Sequence, residues 1–310
     1  MDTRRIGRFE VSVVGLGCNN FGMRIGQDET QLVVDAALDA GITYFDTADV
    51  YGQTRSEEFL GVALGGRRDE VVLATKFGSM GSSDGELSGG HPDWVRRAVD
   101  DSLGRLATDR IDHYQYHRLD PDIPLAETMG ALGELVDAGK VLDVGCSNFD
   151  SGLLDEASAI SRSDGRPPFV SVQNHYSLLH REPEHGVVDA CRRLGVSLVP
   201  YFPLESGLLT GKVDATGTPP PDSRLAMMPD DRRERFIDEQ RLAAVERLRG
   251  WAADHERSLL ELAFAWLLAE PVVATVIAGA TKPDQVHANA AAGGWVLTPE
   301  QRAEVSALVA

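Results

Sequence analysis

The sequence is poor in cysteine, in basic residues and in long apolar runs, and each shortage excludes a class of protein. Its three cysteines are odd in number and widely spaced, without a CxxC pair. Neither a disulfide framework nor a zinc motif is predicted, and we expect a reduced, cytoplasmic protein without a catalytic metal. Only 30 Lys and Arg oppose 48 Asp and Glu, which leaves a net charge of −18. This charge disfavours nucleic acid and anionic membranes as partners.

The most apolar stretch is too interrupted to cross a membrane. Leu259–Ala280 contains Glu261, Glu270 and Pro271, so it predicts a buried helix followed by a strand. The N-terminus lacks the apolar segment and cleavage site of a secretory signal. What remains, 43% hydrophobic and 25% charged residues, is typical of a globular protein with a substantial core.

Short runs rich in β-branched residues alternate with stretches of helical periodicity along the chain. Unbroken alternation predicts parallel strands joined by right-handed crossovers, and eight such units close naturally into a barrel. We therefore predict that residues 1–310 form a single domain, an α/β protein with a (β/α)8 TIM barrel. A doubly wound sheet is the alternative, but Gly15-Leu16-Gly17 is not followed by the third glycine of a dinucleotide-binding turn. The predicted strands are Val13–Gly17, Thr43–Asp46, Val71–Lys76, Ile111–His117, Val141–Ser147, Val170–Gln173, Val196–Tyr201 and Ala274–Ile277.

Two regions exceed the minimal barrel pattern. After the seventh strand, Phe202–Arg235 forms a long connection, which in compact enzymes is usually a lid or a disordered segment. An extra helix is predicted around Phe236–His255. A C-terminal helix, Pro299–Leu308, is predicted to begin after Thr298 as its N-cap and to pack outside the barrel.

Four ionisable residues of different type lie where the second, third and fourth strands end. Asp46 ends the second strand and Tyr51 follows it, while Lys76 ends the third strand and His117 the fourth. In a parallel barrel these ends converge on one mouth, where catalytic groups lie. A buried Lys76 needs a carboxylate partner, and Asp46 is placed to be it. Each residue alone is more often a packing or surface residue, but together they predict acid–base machinery.

This set of residues suits the reduction of a carbonyl by hydride. Tyrosine, with an ordinary pKa of about 10, acts as a general acid when an adjacent cation favours its phenolate and a donor contacts its oxygen. Lys76 and His117 can meet both conditions, and His117 can also orient the carbonyl. Tyr51 is therefore predicted to donate the proton.

Specific motifs are spread over almost the whole chain. They are Gly15-Leu16-Gly17, Phe45–Gly52, Leu103–Asp112, Gly145–Phe149 and Val276–Gly279. Together they resemble the aldo-keto reductases. The segments Asn174–Arg181 and Gly207–Lys212 are similar to the bacterial branch that includes relatives of the potassium-channel β-subunits.

The resemblance implies a nicotinamide cofactor, NADPH with NADH possible, lying extended across the barrel mouth. It also implies the tetrad Asp46, Tyr51, Lys76 and His117. Amides and hydroxyls of Ser147, Asn148 and Gln173 would bind the carboxamide, and Tyr201 would stack on the nicotinamide ring. The full set of implied cofactor-binding residues is Gly17, Cys18, Asn19, Asp46, Ser147, Asn148, Gln173, Tyr201, Phe202, Leu204, Ser206, Gly207, Lys212, Arg224, Gly279, Thr281, Lys282, Gln285 and Asn289.

The sequence departs from the family pattern at two places. Relatives often have Tyr-Ser-Pro-Leu where this chain has Phe202 after the tyrosine, so a hydroxyl is replaced by a phenyl ring. In the last loop Thr281 lies where many relatives carry an arginine for the adenosine 2′-phosphate. Lys282 is the expected substitute, assisted by Arg224 or Lys212.

The predicted function is an NADPH-dependent oxidoreductase that reduces an aldehyde or ketone to an alcohol, reversibly. Two alternatives stay open: a nicotinamide-binding redox sensor or regulatory subunit with little turnover, and a metal-dependent barrel hydrolase. We expect a small-molecule carbonyl substrate. Its class stays open because the expected specificity loops, Cys18–Gly26, Phe77–His91 and Phe202–Arg235, have no diagnostic composition. The oligomeric state also stays open, because the family that the sequence resembles includes both monomers and proteins that associate.

Overall fold

The computed structural model describes residues 1–81, 85, 87–214, 216–234 and 236–309. Positions 82–84 and 86 of the second expected specificity loop, Ala215 and Arg235 of the third, and Ala310 of the predicted domain lie outside the described residues. Eight parallel strands form a sheet in which neighbours follow the chain order, and the last strand pairs with the first strand of the sheet. The strands are β1 (Thr3–Ile6), β2 (Phe9–Ser12), β3 (Val14–Gly17), β4 (Tyr44–Asp46), β5 (Val72–Phe77), β6 (Ile111–Tyr116), β7 (Val141–Ser147), β8 (Phe169–His175), β9 (Ser197–Tyr201) and β10 (Val276–Gly279).

The sheet of strands β3 to β10 curls into a nearly closed barrel. Between β9 and β10 the closure depends on Leu198, whose amide donates to the carbonyl of Val272 at 2.7 Å and whose carbonyl accepts from Ala274 at 3.1 Å. The (β/α)8 prediction is confirmed. All eight predicted strands are present with ends within two residues of those expected, because runs buried on both faces carry a strong apolar signal.

Helices surround the barrel and include both additional helices that the sequence predicts. The extra helix is α8 (Glu239–Asp254), and α11 (Pro299–Ala307) begins at a capping box in which Thr298 and Gln301 exchange hydrogen bonds. The stretch Leu259–Ala280 folds as a buried helix and a strand, as predicted. The helices are α1 (Gln27–Asp39), α2 (Arg55–Leu64), α3 (Pro92–Leu106), α4 (Leu125–Asp137), α5 (Ser151–Asp164), α6 (Val187–Leu194), α7 (Asp230–Arg233), α8 (Glu239–Asp254), α9 (Leu259–Leu268), α10 (Pro283–Ala292) and α11 (Pro299–Ala307), with 3₁₀ turns at Gly65–Glu70, Glu182–Glu184 and Glu205–Thr210. Within the described residues, every helix is too short or too polar to span a bilayer.

An N-terminal hairpin that the sequence analysis did not predict lies below the barrel. Strands β1 and β2 pair antiparallel, and Ile6 and Val11 belong to the same buried cluster as interior residues such as Tyr44. Its turn uses Gly7 at φ +54°, where a Cβ atom would collide with the carboxylate of Asp143. That carboxylate accepts the backbone amide of Arg8 at 2.9 Å. The hairpin therefore closes the end of the barrel opposite to the strand ends that carry the site.

The barrel interior contains a polar layer beneath those strand ends. The hydroxyl of Tyr44 lies 2.9 Å from Nδ1 of His113, and Nε2 of His113 lies 3.0 Å from Oγ of Ser171. Gly145 faces this layer, because a Cβ atom there would come within 2.5 Å of the His113 ring. Burial lowers the pKa of His113 to about 3, so the imidazole is neutral. This layer forms the floor of the candidate site.

Candidate active site

A buried ion pair joins the ends of β4 and β5. The ammonium of Lys76 lies 2.7 Å from Oδ2 of Asp46 and donates a second bond of 2.7 Å to the carbonyl of Thr47, and both charged side chains are buried. Burial disfavours the charge on Lys76, but attraction to Asp46 and contact with Tyr51 outweigh it and raise the pKa of the ammonium. The sequence prediction that Asp46 partners Lys76 agrees with this geometry.

Two glutamines complete the surroundings of the Asp46 carboxylate. Its second oxygen, Oδ1, accepts the side-chain amide of Gln115 at 3.1 Å and that of Gln173 at 2.9 Å. Each oxygen of the carboxylate is therefore satisfied inside the barrel, as a buried charge requires. Gln115 is missing from the sequence prediction, although it has the same strand parity as His117 and so points to the same interior.

Tyr51 lies in the turn after β4 and extends the ion pair towards the cavity. Its hydroxyl is 3.4 Å from the Lys76 ammonium, which also lies 4.9 Å from the centre of the phenol ring. Burial raises the pKa of Tyr51 above its ordinary value, and the charge of Lys76 opposes that rise. The phenol is thus protonated at neutral pH, beside a cation that stabilises its conjugate base.

His117 follows β6 and faces the same phenol. The two rings meet edge to face with centres 6.0 Å apart. Burial, together with the charges of Lys76 and Arg118, lowers the pKa of His117 to about 3, so its ring is neutral at physiological pH. Within the described residues Nδ1 of this ring has no hydrogen-bond partner. We call Asp46, Tyr51, Lys76 and His117 the Lys76 cluster.

A cavity of about 680 Å³ opens over this cluster at the barrel mouth, a volume within the usual range for cofactor and ligand pockets. Tyr51 and His117 lie on its wall, while Lys76 lies behind them. Most of the predicted cofactor-binding residues lie on the wall as well: Gly17, Asn19, Asp46, Ser147, Asn148, Gln173, Tyr201, Phe202, Leu204, Ser206, Gly207, Lys212, Arg224, Gly279, Thr281, Gln285 and Asn289.

Two of the predicted cofactor-binding residues are not on the cavity wall. Cys18, expected to line the mouth, is fully buried, and its thiol points to the carbonyl of Leu16 at 3.7 Å. Burial raises the pKa of this thiol well above its ordinary value. Lys282 is the extended N-cap of α10, and its exposed side chain lies off the wall that Thr281 and Gln285 line. Strand and helix-cap geometry turn the two side chains away.

The residues expected to bind the carboxamide form one hydrogen-bonded row. Ser147 donates its hydroxyl to the carbonyl of Gln173 at 2.8 Å, and Asn148 donates its amide to the carbonyl of His117 at 3.0 Å. The hydroxyl of Tyr201 donates to Oδ1 of Asn148 at 2.8 Å. The row therefore links β6, β7, β8 and β9 across one side of the cavity.

A second charged cluster, absent from the sequence prediction, lies behind Tyr201. Glu205 is buried, and its carboxylate contacts Nε2 of His175 at 2.6 Å, the hydroxyl of Ser177 at 2.5 Å and the guanidinium of Arg241 at 3.1 Å. Burial works against the charge of Glu205, but these contacts outweigh it and lower the pKa of the carboxyl group. We call these four residues the Glu205 cluster.

His175 links the Glu205 cluster to Tyr201, which lies on the cavity wall. The ring of His175 lies parallel to that of Tyr201, with centres 5.5 Å apart, and stacks on His180 at 3.8 Å. An acidic residue inside the otherwise apolar Tyr201–Leu209 segment is the sequence signal that points to this cluster.

The fold and the site together define a class of protein. A (β/α)8 barrel carries at its mouth a large cavity, a phenol next to a buried lysine–aspartate pair, and a neutral imidazole, which is the arrangement of a barrel enzyme with acid–base chemistry. The model of the aldo/keto reductase family matches residues 13–310. The chain belongs to the aldo-keto reductase family, whose members are nicotinamide-dependent oxidoreductases that act on carbonyl compounds.

Individual relatives agree with that assignment. The chain is 34% identical over 307 residues to aldo-keto reductase YhdN of Bacillus subtilis, a match that covers 97% of this chain and 90% of the relative. It is 35% identical over 278 residues to aldo-keto reductase yakc [NADP(+)] of Schizosaccharomyces pombe, covering 86% and 79%. The solved holo form of aldo-keto reductase AKR11C1 from Bacillus halodurans is 34% identical, with a TM-score of 0.80 over 100% of this chain and 97% of the other.

Proposed function

We propose that this protein catalyses the reversible, NADPH-dependent reduction of an aldehyde or ketone to an alcohol, with Tyr51 as the proton donor. One observation carries the proposal: the phenol of Tyr51 lies between the Lys76 ammonium, 3.4 Å from its oxygen, and the cavity beside His117. The phenol proton of Tyr51 can be donated to a substrate in the cavity. The negative charge of the remaining phenolate is stabilised by the ammonium of Lys76.

Each residue of the Lys76 cluster has a separate task in this proposal. Tyr51 holds the proton at its phenol oxygen. Lys76 stabilises the phenolate that remains, and Asp46 keeps Lys76 charged and oriented at 2.7 Å. His117, neutral because burial lowers its pKa to about 3, is placed to orient the carbonyl oxygen without competing as an acid.

The cavity wall fits a nicotinamide dinucleotide. Amide and hydroxyl groups of Ser147, Asn148 and Gln173 lie together on one side, and the half-buried ring of Tyr201 lies next to them. Two buried polar atoms on the wall, Oδ1 of Asn20 and Oγ of Ser206, have no partner within the described residues and are available to a bound group. When bound, the nicotinamide supplies the hydride.

Two cations favour NADPH over NADH in this proposal. Lys212 and Arg224 both lie on the wall formed by the long connection after β9. The guanidinium of Arg224 lies 5.1 Å from the centre of the Phe202 ring, so the phenyl group that replaces the usual serine supports a phosphate-binding arginine through a cation–π contact. The relative in Schizosaccharomyces pombe, named with NADP(+), is consistent with this preference.

A titration of the purified protein with NADPH and NADH in parallel, followed by absorbance of the nicotinamide in the presence of an aldehyde panel, tests the proposal. We expect tighter binding of NADPH and oxidation of NADPH that depends on the aldehyde. Binding without oxidation by any carbonyl compound would favour the redox-sensor alternative. Failure of both cofactors to bind would overturn the proposal.

We also propose that residues 1–310 act as a single barrel domain. The N-terminal hairpin packs on the barrel interior, and the guanidinium of Arg302 on α11 donates a hydrogen bond of 3.2 Å to the hydroxyl of Tyr176 after β8. The cytoplasmic location, based on three cysteines that are all free thiols in the structure, stays a prediction.

A further inference from the structure

Arg118, the residue after His117, is an exposed cation on the wall of the cavity. Across the described part of the chain, no hydrogen bond, ion pair or ring contact of its guanidinium is found. Its charge nevertheless acts on two groups of the site: it contributes to the low pKa of His117, and it opposes the rise that burial causes in the pKa of Tyr201. Arg118 thus shares the cavity wall with His117 and Tyr201.

The other basic side chains on this wall have a protein partner or belong to the long connection after β9. Arg24 donates to the carbonyl of Asp222 at 2.9 Å. Lys212 and Arg224 belong to the long connection, where the 2′-phosphate is proposed to bind. Arg118 differs because it lies next to the proposed carbonyl site with its charge unused.

The cavity that Arg118 borders also has apolar side chains on its wall. Met23 and Val50 line the same cavity and are exposed, at 58% and 37%. Apolar side chains of this kind favour an apolar spacer, such as an aryl or alkyl group. The molecule as a whole carries a net charge of −18, so long-range attraction does not favour anions and a local cation is needed to bind one.

We propose that Arg118 selects carbonyl substrates that carry a carboxylate, separated from the carbonyl by an apolar spacer. The planar guanidinium of arginine matches the two oxygens of a carboxylate in a bidentate pair. This inference rests on the proposed function, because it places the carbonyl between Tyr51 and His117 and the carboxylate at Arg118. It assigns an acidic aldehyde or ketone as the substrate class.

Matched pairs of aldehydes test the assignment. The probes are 3- and 4-formylbenzoate and the corresponding formylbenzamides, which are neutral and nearly the same shape. We expect kcat/KM to be about tenfold higher for the best acid than for its amide, since one charge-assisted pair is worth roughly that factor. The position with the largest ratio reports the distance from the carbonyl to Arg118.

Variants assign the preference to this side chain. In Arg118→Met the acid-to-amide ratio is expected to fall to about one, and in Arg118→Glu the ratio falls below one. The matched control is Arg5→Met, which removes an exposed arginine from β1 at the opposite end of the barrel. We expect it to leave the ratio as in the parent protein.

Each other outcome overturns the inference in a recognisable way. Equal rates for acids and amides in the parent protein mean that Arg118 does not select substrates, while the proposed reductase function stands. A loss of NADPH affinity in Arg118→Met with the ratio retained assigns the residue to the cofactor instead. If no aldehyde of either series oxidises NADPH, the proposed function fails and this inference fails with it.

Discussion

The two charged clusters at the barrel mouth differ in how completely their polar atoms are used. In the Lys76 cluster the ion pair is satisfied, but the chain of contacts ends at two groups on the cavity wall, Tyr51 and His117, and Nδ1 of His117 has no partner within the described residues. In the Glu205 cluster both carboxylate oxygens are bound by protein donors. Polar groups without a hydrogen-bond partner are available for chemistry, whereas a cluster in which every polar group is paired holds its surroundings in place.

The position of each cluster fits this difference. The Lys76 cluster lies on β4, β5 and β6, with its reactive groups aimed at the cavity. The Glu205 cluster lies behind β8 and β9 and contacts the cavity wall through His175, whose ring packs parallel to that of Tyr201. Glu205 and Ser206 have left-handed backbone angles, with φ of 46° and 57°, a conformation that costs free energy and persists only where surrounding contacts hold it. Substitutions in the Lys76 cluster are therefore expected to lower kcat. Substitutions in the Glu205 cluster are expected to lower cofactor affinity or stability.

The largest expected effect is on the Lys76 cluster. Tyr51→Phe removes the proposed acid and should lower kcat by about 10²- to 10⁴-fold, with NADPH affinity almost unchanged, because no cofactor contact is deleted. Tyr114→Phe is the control, since Tyr114 lies on β6 with a buried hydroxyl that has no partner in the described structure. Steady-state kinetics and a cofactor titration measure both. Retained turnover in Tyr51→Phe would remove this residue from the proton-donor role.

A second prediction concerns two buried neutral histidines, His117 of the Lys76 cluster and His113 beneath it. His113 and His117 have pKa values lowered to about 3 in the folded protein, against about 6.5 in an unfolded chain. Between these values the unfolded state binds more protons, so the free energy of unfolding should fall as pH drops from about 6.5 towards 3. The loss is about 1.4 kcal/mol per pH unit for each histidine.

Denaturant unfolding at several pH values measures this slope. His117→Gln should reduce it by about one proton, and His185→Gln, at an exposed surface position, should leave it unchanged. A slope that is the same in the parent protein and in His117→Gln would contradict the low pKa of this group.

In the Glu205 cluster, a substitution should lower stability and cofactor affinity rather than kcat. Glu205→Gln keeps the size of the side chain but removes the charge that His175 and Arg241 contact. We expect the free energy of unfolding to fall by about 2 kcal/mol and cofactor affinity to weaken, with kcat at saturating NADPH nearly retained. Glu182→Gln, which removes a surface carboxylate near His185, should change stability by less than about 0.5 kcal/mol. A large loss of kcat in Glu205→Gln would break the distinction between the clusters.

The smallest expected effect concerns Arg224, which lies in the same long connection as Glu205. Arg224→Met should weaken NADPH binding by about tenfold and leave NADH binding unchanged, because it removes one phosphate contact. Lys282→Met is the matched control, since Lys282 lies off the cavity wall. Parallel titrations with the two cofactors measure the ratio. Equal losses for NADPH and NADH would place Arg224 elsewhere on the cofactor.

Strand alternation and the residues at strand ends predicted most of the fold and the centre of the site. The eight parallel strands, α8, α11 and the Asp46–Lys76 contact all follow from local patterns plus the rule that strand ends converge. The N-terminal hairpin was missed because four-residue strands carry a weak signal, and its partner surface is the floor of a barrel that does not exist until eight strands have closed. The Glu205 cluster was missed because its members come from three separate segments of the chain.

The sequence by itself determined the alternation of strands and helices, the positions of the strands and the ionisable residues at their ends. These features depend on the apolar pattern of neighbouring residues. Only the tertiary structure decided which of these groups face the cavity. Cys18 and Lys282 are adjacent in sequence to wall residues yet turn away, while Arg118 and Arg24 point in. Such choices depend on barrel closure and on partners tens to hundreds of residues away, and no local pattern contains them.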